Sequence, residues 1–163
     1  RERRRQSSFM SLRSLFSVRI RSARGGSKGR SYTMNETSEF SFILKPSKHG
    51  VGVFAAHDIK NGTFLRLFGD DRHPEESRML SKETVPAQFR HYCIDRGSQF
   101  ACPDDFGAMH IGWYLNHSHA PNAAHRKYQY YAIRDIAAGE EILIDYNTLE
   151  EPDEVRESYY RKN

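Results

Sequence analysis

The chain has 163 residues, with 25 Lys or Arg and 21 Asp or Glu, for a formal charge of +4. That length suits one domain with its own core, and 37% hydrophobic with 12% aromatic residues excludes wholesale disorder. No run approaches the roughly 20 apolar residues of a membrane-spanning helix, and Cys93 and Cys102 alone cannot build a disulfide framework or a four-cysteine zinc site. Two cysteines fit a reducing compartment.

The charge is unevenly placed. Residues 1–33 carry ten Lys or Arg against Glu2 alone, a balance of +9, which leaves 15 basic and 20 acidic side chains, a balance of −5, on the remaining 130 residues. A nucleic-acid partner is therefore an expectation for the tail, and salt-sensitive if real. The tail is rich in Arg and Ser, with Leu12, Leu15 and Phe16 at helical spacing beside Arg13 and Arg19. Three readings stand: an organellar transit peptide if Met10 is the initiator, a solvated basic arm, or residues upstream of a start at Met34.

The folded part is expected from about Phe40. Phe40, Phe42 and Leu44 alternate with Ser41, Ile43 and Lys45, as in a strand that Pro46 stops. Gly50-Val51-Gly52-Val53-Phe54-Ala55 is a short apolar run opened by glycines. Asn61-Gly62 marks a tight turn before a strand at 63–68. Residues 74–84 are charged and predict a partial helix after Pro74. His91–Ile94 and Gln99–Cys102 read as a strand pair around Gly97, followed by strands at 128–134 and 141–146. Pro152 with Asp153 and Glu154 opens a predicted C-terminal helix to about Arg161. The fold class is mainly β with short helices, organised as a tail (1–33), one domain (34–150) and the C-terminal helix (151–163).

Three segments carry the chemistry. Glycines at 50 and 52 let a backbone approach a ligand, although a Gly-x-Gly is more often a bend in a strand. Trp113-Tyr114-Leu115-Asn116-His117-Ser118-His119-Ala120-Pro121-Asn122 sets a dense polar cluster after an apolar turn. It also admits a satisfied turn, a glycosylation acceptor at Asn116, or a metal site from His117, His119, His125 and Cys102, whose spacing matches no standard zinc pattern. Gly139-Glu140-Glu141 leads into a strand ending at Asp145-Tyr146, where a lone tyrosine is ordinarily a packing aromatic.

Taken in order, Gly-x-Gly-Val-Phe-Ala, Leu-Asn-His-Ser-x-x-Pro-Asn, Gly-Glu-Glu and Asp-Tyr resemble the SET-domain protein lysine methyltransferases, over residues 40–147. In size, and in carrying no pre-SET or post-SET module within these residues, the chain resembles small viral and bacterial members. The resemblance implies small curved β-sheets around a pseudoknot, in which the Asn-His-Ser segment threads beneath a C-terminal loop. It implies S-adenosylmethionine as cofactor, held by Gly50, Val51, Gly52, Val53, Asn116 and His117, and no metal. It implies Tyr146 as the active-site tyrosine at the inner end of a lysine channel, with Tyr92 lining the same pocket. The implied partner is a lysine-containing protein or peptide, histone or not.

Departures from the family pattern are Trp113 for a common arginine, Gly69-Asp70 for Gly-Glu, and His119 for a common cysteine. The predicted helix, with Tyr159 and Tyr160, is expected to cover the cofactor where other members use post-SET cysteines. Ile144 occupies the position of the Phe or Tyr that helps set methylation multiplicity. These departures keep open a second reading, a catalytically silent SET-fold module that binds lysine-containing segments.

Overall fold

The computed structural model describes residues 35–68 and 77–161. The basic tail and its three readings, Pro74 and the Gly69-Asp70 departure lie outside these residues. Among the described residues the architecture is four small sheets with short 3-10 helices between them.

Strands β1 (Phe42–Ser47) and β2 (Gly50–Ala55) form an antiparallel hairpin, with Phe42 opposite Ala55 and Ser47 opposite Gly50. Pro46 does not stop β1 but lies inside it, opposite Val51. Proline is tolerated there because β1 has no second neighbour in its sheet, so a missing N–H breaks no further ladder. At the reversal Gly50 has φ +104°, a left-handed conformation that favours glycine.

The expected strand at 63–68 shortens to β3 (Phe64–Leu65). Gly62, at φ +80°, completes the turn before it. The predicted helix at 74–84 is overturned where it can be seen: Arg78–Ser81 is a strand, β4. Its backbone groups pair with β6 (Gln99–Cys102), which also pairs with β5 (Ile94–Asp95). Tertiary pairing overrides the local charge pattern here, as weak propensities allow. Gly97, at φ +84°, turns β5 into β6 as the sequence suggests. His91 and Tyr92 belong to a 3-10 helix, Ala87–Tyr92, rather than to a strand.

Two strands follow a second 3-10 helix at Ile111–Tyr114: β7 (Asn116–His117) and β8 (Ala123–Arg126). The latter forms a hairpin with β9 (Gln129–Ala132). Lys127 and Tyr128 both have positive φ at the turn, 48° and 60°, the primed geometry that matches strand twist. Without glycine in that turn, β8 carries little sequence signal. Finally β10 (Leu143–Ile144) runs parallel to β7, pairing Leu143 with Asn116 and Ile144 with His117.

The predicted C-terminal helix does not form among the described residues. Residues 153–155 and 158–160 are two separate turns, closed by Val155 N to Pro152 O at 3.1 Å and Tyr160 N to Glu157 O at 3.3 Å. A segment this short cannot offset helix nucleation by itself. It is laid down by tertiary bonds instead: Asn147 Nδ2 donates to Tyr160 O at 2.6 Å and Tyr160 Oη donates to Glu151 Oε2 at 2.5 Å.

The main core gathers Val53, Ile59, Leu65, Leu67, Ile136 and Ile142, each nearly inaccessible to solvent. A smaller cluster of Val85, Phe100 and Cys102 lies beneath β4–β6. Asn122, wholly buried, joins the elements around β10: its Nδ2 donates to Glu141 O at 2.7 Å and its Oδ1 accepts from Leu143 N at 2.8 Å. Replacing Asn122 with alanine strands these groups, so Asn122→Ala should cost about 2–4 kcal/mol, seen as a lowered urea midpoint at unchanged slope. Glu140 supplies a pH test. Its hydrogen bond from Arg134, above all, with those from Ala137 N and Asn122, holds its carboxyl down at about 2 against an ordinary 4.5. A depressed carboxyl stabilises the fold fully above its unfolded value and loses that contribution as pH falls through the folded one. Urea midpoints measured from pH 5 to about 2 should therefore fall less steeply in Glu140→Gln than in the parent chain.

Candidate active site

The β7–β10 pairing brings together the second and third motif segments. Ser118 N donates to Ile144 O at 2.9 Å, and Tyr146 N donates to His117 Nδ1 at 3.2 Å. A Nδ1 that accepts leaves the proton of a neutral imidazole on Nε2. Burial first, and then the neighbouring His119, push the His117 pKa below its ordinary value, in keeping with that neutral form. His117 packs among His119, Tyr146, Tyr159 and Tyr160, at ring separations of 4.6–6.2 Å.

Tyr146 opens a short 3-10 helix, Tyr146–Thr148, whose preceding residue Asp145 accepts from Asn147 N at 3.0 Å. The Tyr146 hydroxyl donates to the Leu115 carbonyl at 2.6 Å. Burial, foremost, and then the nearby Tyr159 and Glu151 raise its pKa, so it is a neutral phenol at physiological pH. With its single hydrogen committed to Leu115, its oxygen presents only lone pairs.

Two cavities meet at this tyrosine. The larger, of about 480 Å³, is bordered by His49, Gly50, Val51, Trp113, Asn116 and Tyr159, among others. The smaller, of about 70 Å³, is bordered by Phe68, Gly112, Tyr130, Ile144 and Leu149. Tyr92, Trp113, Leu115, Tyr146 and Glu151 border both. Tyr92 packs edge-on against Tyr114 at 5.4 Å. Ile144 lines the smaller cavity.

The four residues of the glycine run divide. Gly50 and Val51 border the larger cavity, whereas Gly52 and Val53 lie behind it. Val53 is core. Gly52 is needed for what presses on it: a Cβ there would sit 2.1 Å from Glu141 Oε1. The Glu141 carboxylate in that space accepts from Asn116 Nδ2 at 2.7 Å and from Ser47 Oγ at 2.8 Å. Asn116 Nδ2 also donates to Val51 O at 3.2 Å. Both amide hydrogens are thus used, which leaves Oδ1 as what Asn116 can offer a ligand. Asn116, a residue of the second motif, so fixes the glycine hairpin of the first. His117, by contrast, does not border either cavity; it supports Tyr146 from behind.

The remaining histidines do not converge. His119 Nε2 meets Tyr159 O at 3.2 Å and His125 Nε2 meets Thr148 O at 3.0 Å. No group of three or more potential metal ligands occurs among the described residues. Residues that the sequence did not single out are Leu115, whose carbonyl takes the Tyr146 proton, and Glu151, buried between the cavities. A backbone carbonyl has no sequence signal. Glu151 stands in an acidic stretch of Glu and Asp in which nothing marks one member as buried.

The SET domain family model matches residues 50–147. Among curated proteins, the Variant-silencing SET domain-containing protein of Plasmodium falciparum (isolate 3D7) is 27% identical over 118 residues, covering 64% of this chain. The matched part is only 5% of that protein. Among solved structures, a humanized mutant of the Chaetomium thermophilum Polycomb Repressive Complex 2 is 21% identical at a TM-score of 0.46, over 67% of this chain and 15% of that one.

The wall of the smaller cavity gives a structural test. A Cβ on Gly112 would lie 2.3 Å from the Phe68 ring. Gly112→Ala should push Phe68 into the smaller cavity and destabilise the protein by about 1–3 kcal/mol. A fall in melting temperature would register the cost, and near-ultraviolet circular dichroism would register the altered Phe68–Trp113 contact.

Proposed function

The chain belongs to the SET-domain family, and from that premise we propose that it transfers methyl groups from S-adenosylmethionine to the side-chain amine of lysine in a protein. The observation that carries this reading is Tyr146, which borders both cavities with its hydroxyl hydrogen already given to Leu115.

The residues around the larger cavity fit such a cofactor. Its volume, about 480 Å³, lies in the range of small-molecule sites, about 300–1,000 Å³. Nothing lies within 4 Å of where a Cβ on Gly50 would sit, so the backbone there is open to a ligand. His49 and Tyr159 present nearly parallel rings, 14° apart in plane, suited to a flat heterocycle. Gly50, Val51 and Asn116 would hold the cofactor directly, with Gly52, Val53 and His117 supporting them from the second layer. When bound, S-adenosylmethionine supplies a methyl group on a positively charged sulfur.

The target amine must be neutral to react, yet lysine has a reference pKa near 10.4. At pH 7.4 that costs about three units, roughly 4 kcal/mol. The smaller cavity, walled by Phe68, Trp113, Tyr130 and Leu149, strips water from the amine and lowers its pKa by desolvation. Tyr146, held as a neutral phenol, is not the base; the proton leaves to water before transfer. Its lone pairs accept an amine N–H and so aim the nitrogen lone pair, while Tyr92 closes the other side. Positioning of this kind can contribute about 7–11 kcal/mol.

The −5 balance of residues 34–163 favours basic, lysine-bearing protein segments as substrates. Incubation with labelled S-adenosylmethionine and a mixed protein extract should yield methyl-lysine. Tyr146→Phe should slow transfer by about 10²-fold, since small misplacements carry that cost. Failure to bind cofactor by calorimetry, with binding of a lysine-containing peptide intact, would replace the enzyme reading with the silent binding module, and full transfer by Tyr146→Phe would remove the tyrosine from the mechanism.

A further inference from the structure

Glu151 is 9% exposed and is a lining residue of both cavities. Its partners are neutral donors: Asp95 N at 3.0 Å on Oε1 and the Tyr160 hydroxyl at 2.5 Å on Oε2. No Lys, Arg or His among the described residues forms an ion pair with it. The other acids at the larger cavity differ. Asp95 is paired with Lys82 at 2.7 Å, and Glu157 is exposed to solvent.

A buried carboxylate without a cation is costly, and proteins ordinarily supply the opposite charge. The local backbone holds Glu151 in this position. Glu150, just before it, has φ 60°, an uncommon conformation for a residue with a side chain. Arg96 fixes that bend by donating to Leu149 O at 2.8 Å and to Glu150 O at 2.9 Å. Glu150 is thereby left in solvent while Glu151 turns inward. Strain of this kind concentrates at functional positions.

We propose that Glu151 is the fixed counter-charge for a cationic ligand, the sulfonium of the cofactor, held at the junction of the two cavities. The inference rests on the methyltransferase reading and adds to it a residue that selects the charged cofactor over its neutral thioether product.

Calorimetry on the full chain with S-adenosylmethionine and S-adenosylhomocysteine tests this without any turnover. The parent chain should bind the sulfonium more tightly than the thioether. In Glu151→Gln, which keeps the shape, the ratio of the two affinities should fall by about tenfold, the scale of a close charge pair. In Tyr160→Phe, which keeps the charge, the ratio should stay. Should Glu151→Gln fail to fold, Glu151→Asp retains the charge and should retain the preference. Equal affinities in the parent chain, or a parallel loss of both ligands in Glu151→Gln, would overturn the counter-charge while leaving the cofactor reading intact. Binding of neither ligand by the parent chain would sink the cofactor reading and this inference with it.

Discussion

The arrangement of the site depends on the parallel pairing of Asn116–His117 with Leu143–Ile144. Two residues on each strand decide where the third motif lies against the second. Tyr146, two positions past Ile144, reaches the carbonyl of Leu115, one position before Asn116. A shift of one residue would turn the buried Ile144 outward and carry Tyr146 away from that carbonyl, because strand side chains alternate between faces. So short a ladder cannot hold itself. Asn122 holds it, with one amide reaching the backbone on both sides of Ile142.

The motif residues are thus largely structural in their immediate contacts. Glu141 lies in the space that Gly52 leaves, takes bonds from Ser47 and Asn116, and joins the glycine hairpin to β7. Glu140 is tied to Arg134 and Ala137 around the preceding turn. Two adjacent glutamates therefore have separate tasks, one bonded toward the glycine hairpin and one toward the turn. His117 carries no cavity wall and instead takes the Tyr146 amide on Nδ1. What these polar groups contribute is the fixed position of a phenol whose hydrogen is already in use, the single geometry that the proposed transfer requires of it.

The aromatic lining of the smaller cavity and the carboxylate of Glu151 differ in how they would treat a cation. Apolar rings disfavour a charged amine, whereas a carboxylate favours a cation. Phe68 and Tyr130 line the smaller cavity alone, while Glu151 stands at the junction. The C-terminal turns complete this arrangement. Tyr160 is held by Asn147 through its carbonyl and by Glu151 through its hydroxyl.

By itself the sequence determined the class of the fold, the glycine turns at 62 and 97, and the ordered motifs that name the family. These are local or composition-borne properties: glycine takes a positive φ most readily and so marks a turn, alternation marks a half-buried strand, and an Asn-His-Ser or Asp-Tyr string is visible wherever it lies. Other features could be read only in three dimensions. Pro46 sits within a strand because that strand is an edge, and Arg78–Ser81 is extended because β6 is beside it. Residues 151–161 stay in turns because Asn147 and Glu151 capture Tyr160. Of the glycine run, Gly50 and Val51 reach the cavity while Gly52 and Val53 do not, a division set by which face meets Glu141 and the core. Glu151 looks like any acid in its stretch until the bend at Glu150 turns it inward. In each case the deciding partner is distant in the chain, and pairing, burial and charge compensation between distant residues leave no pattern in the local sequence.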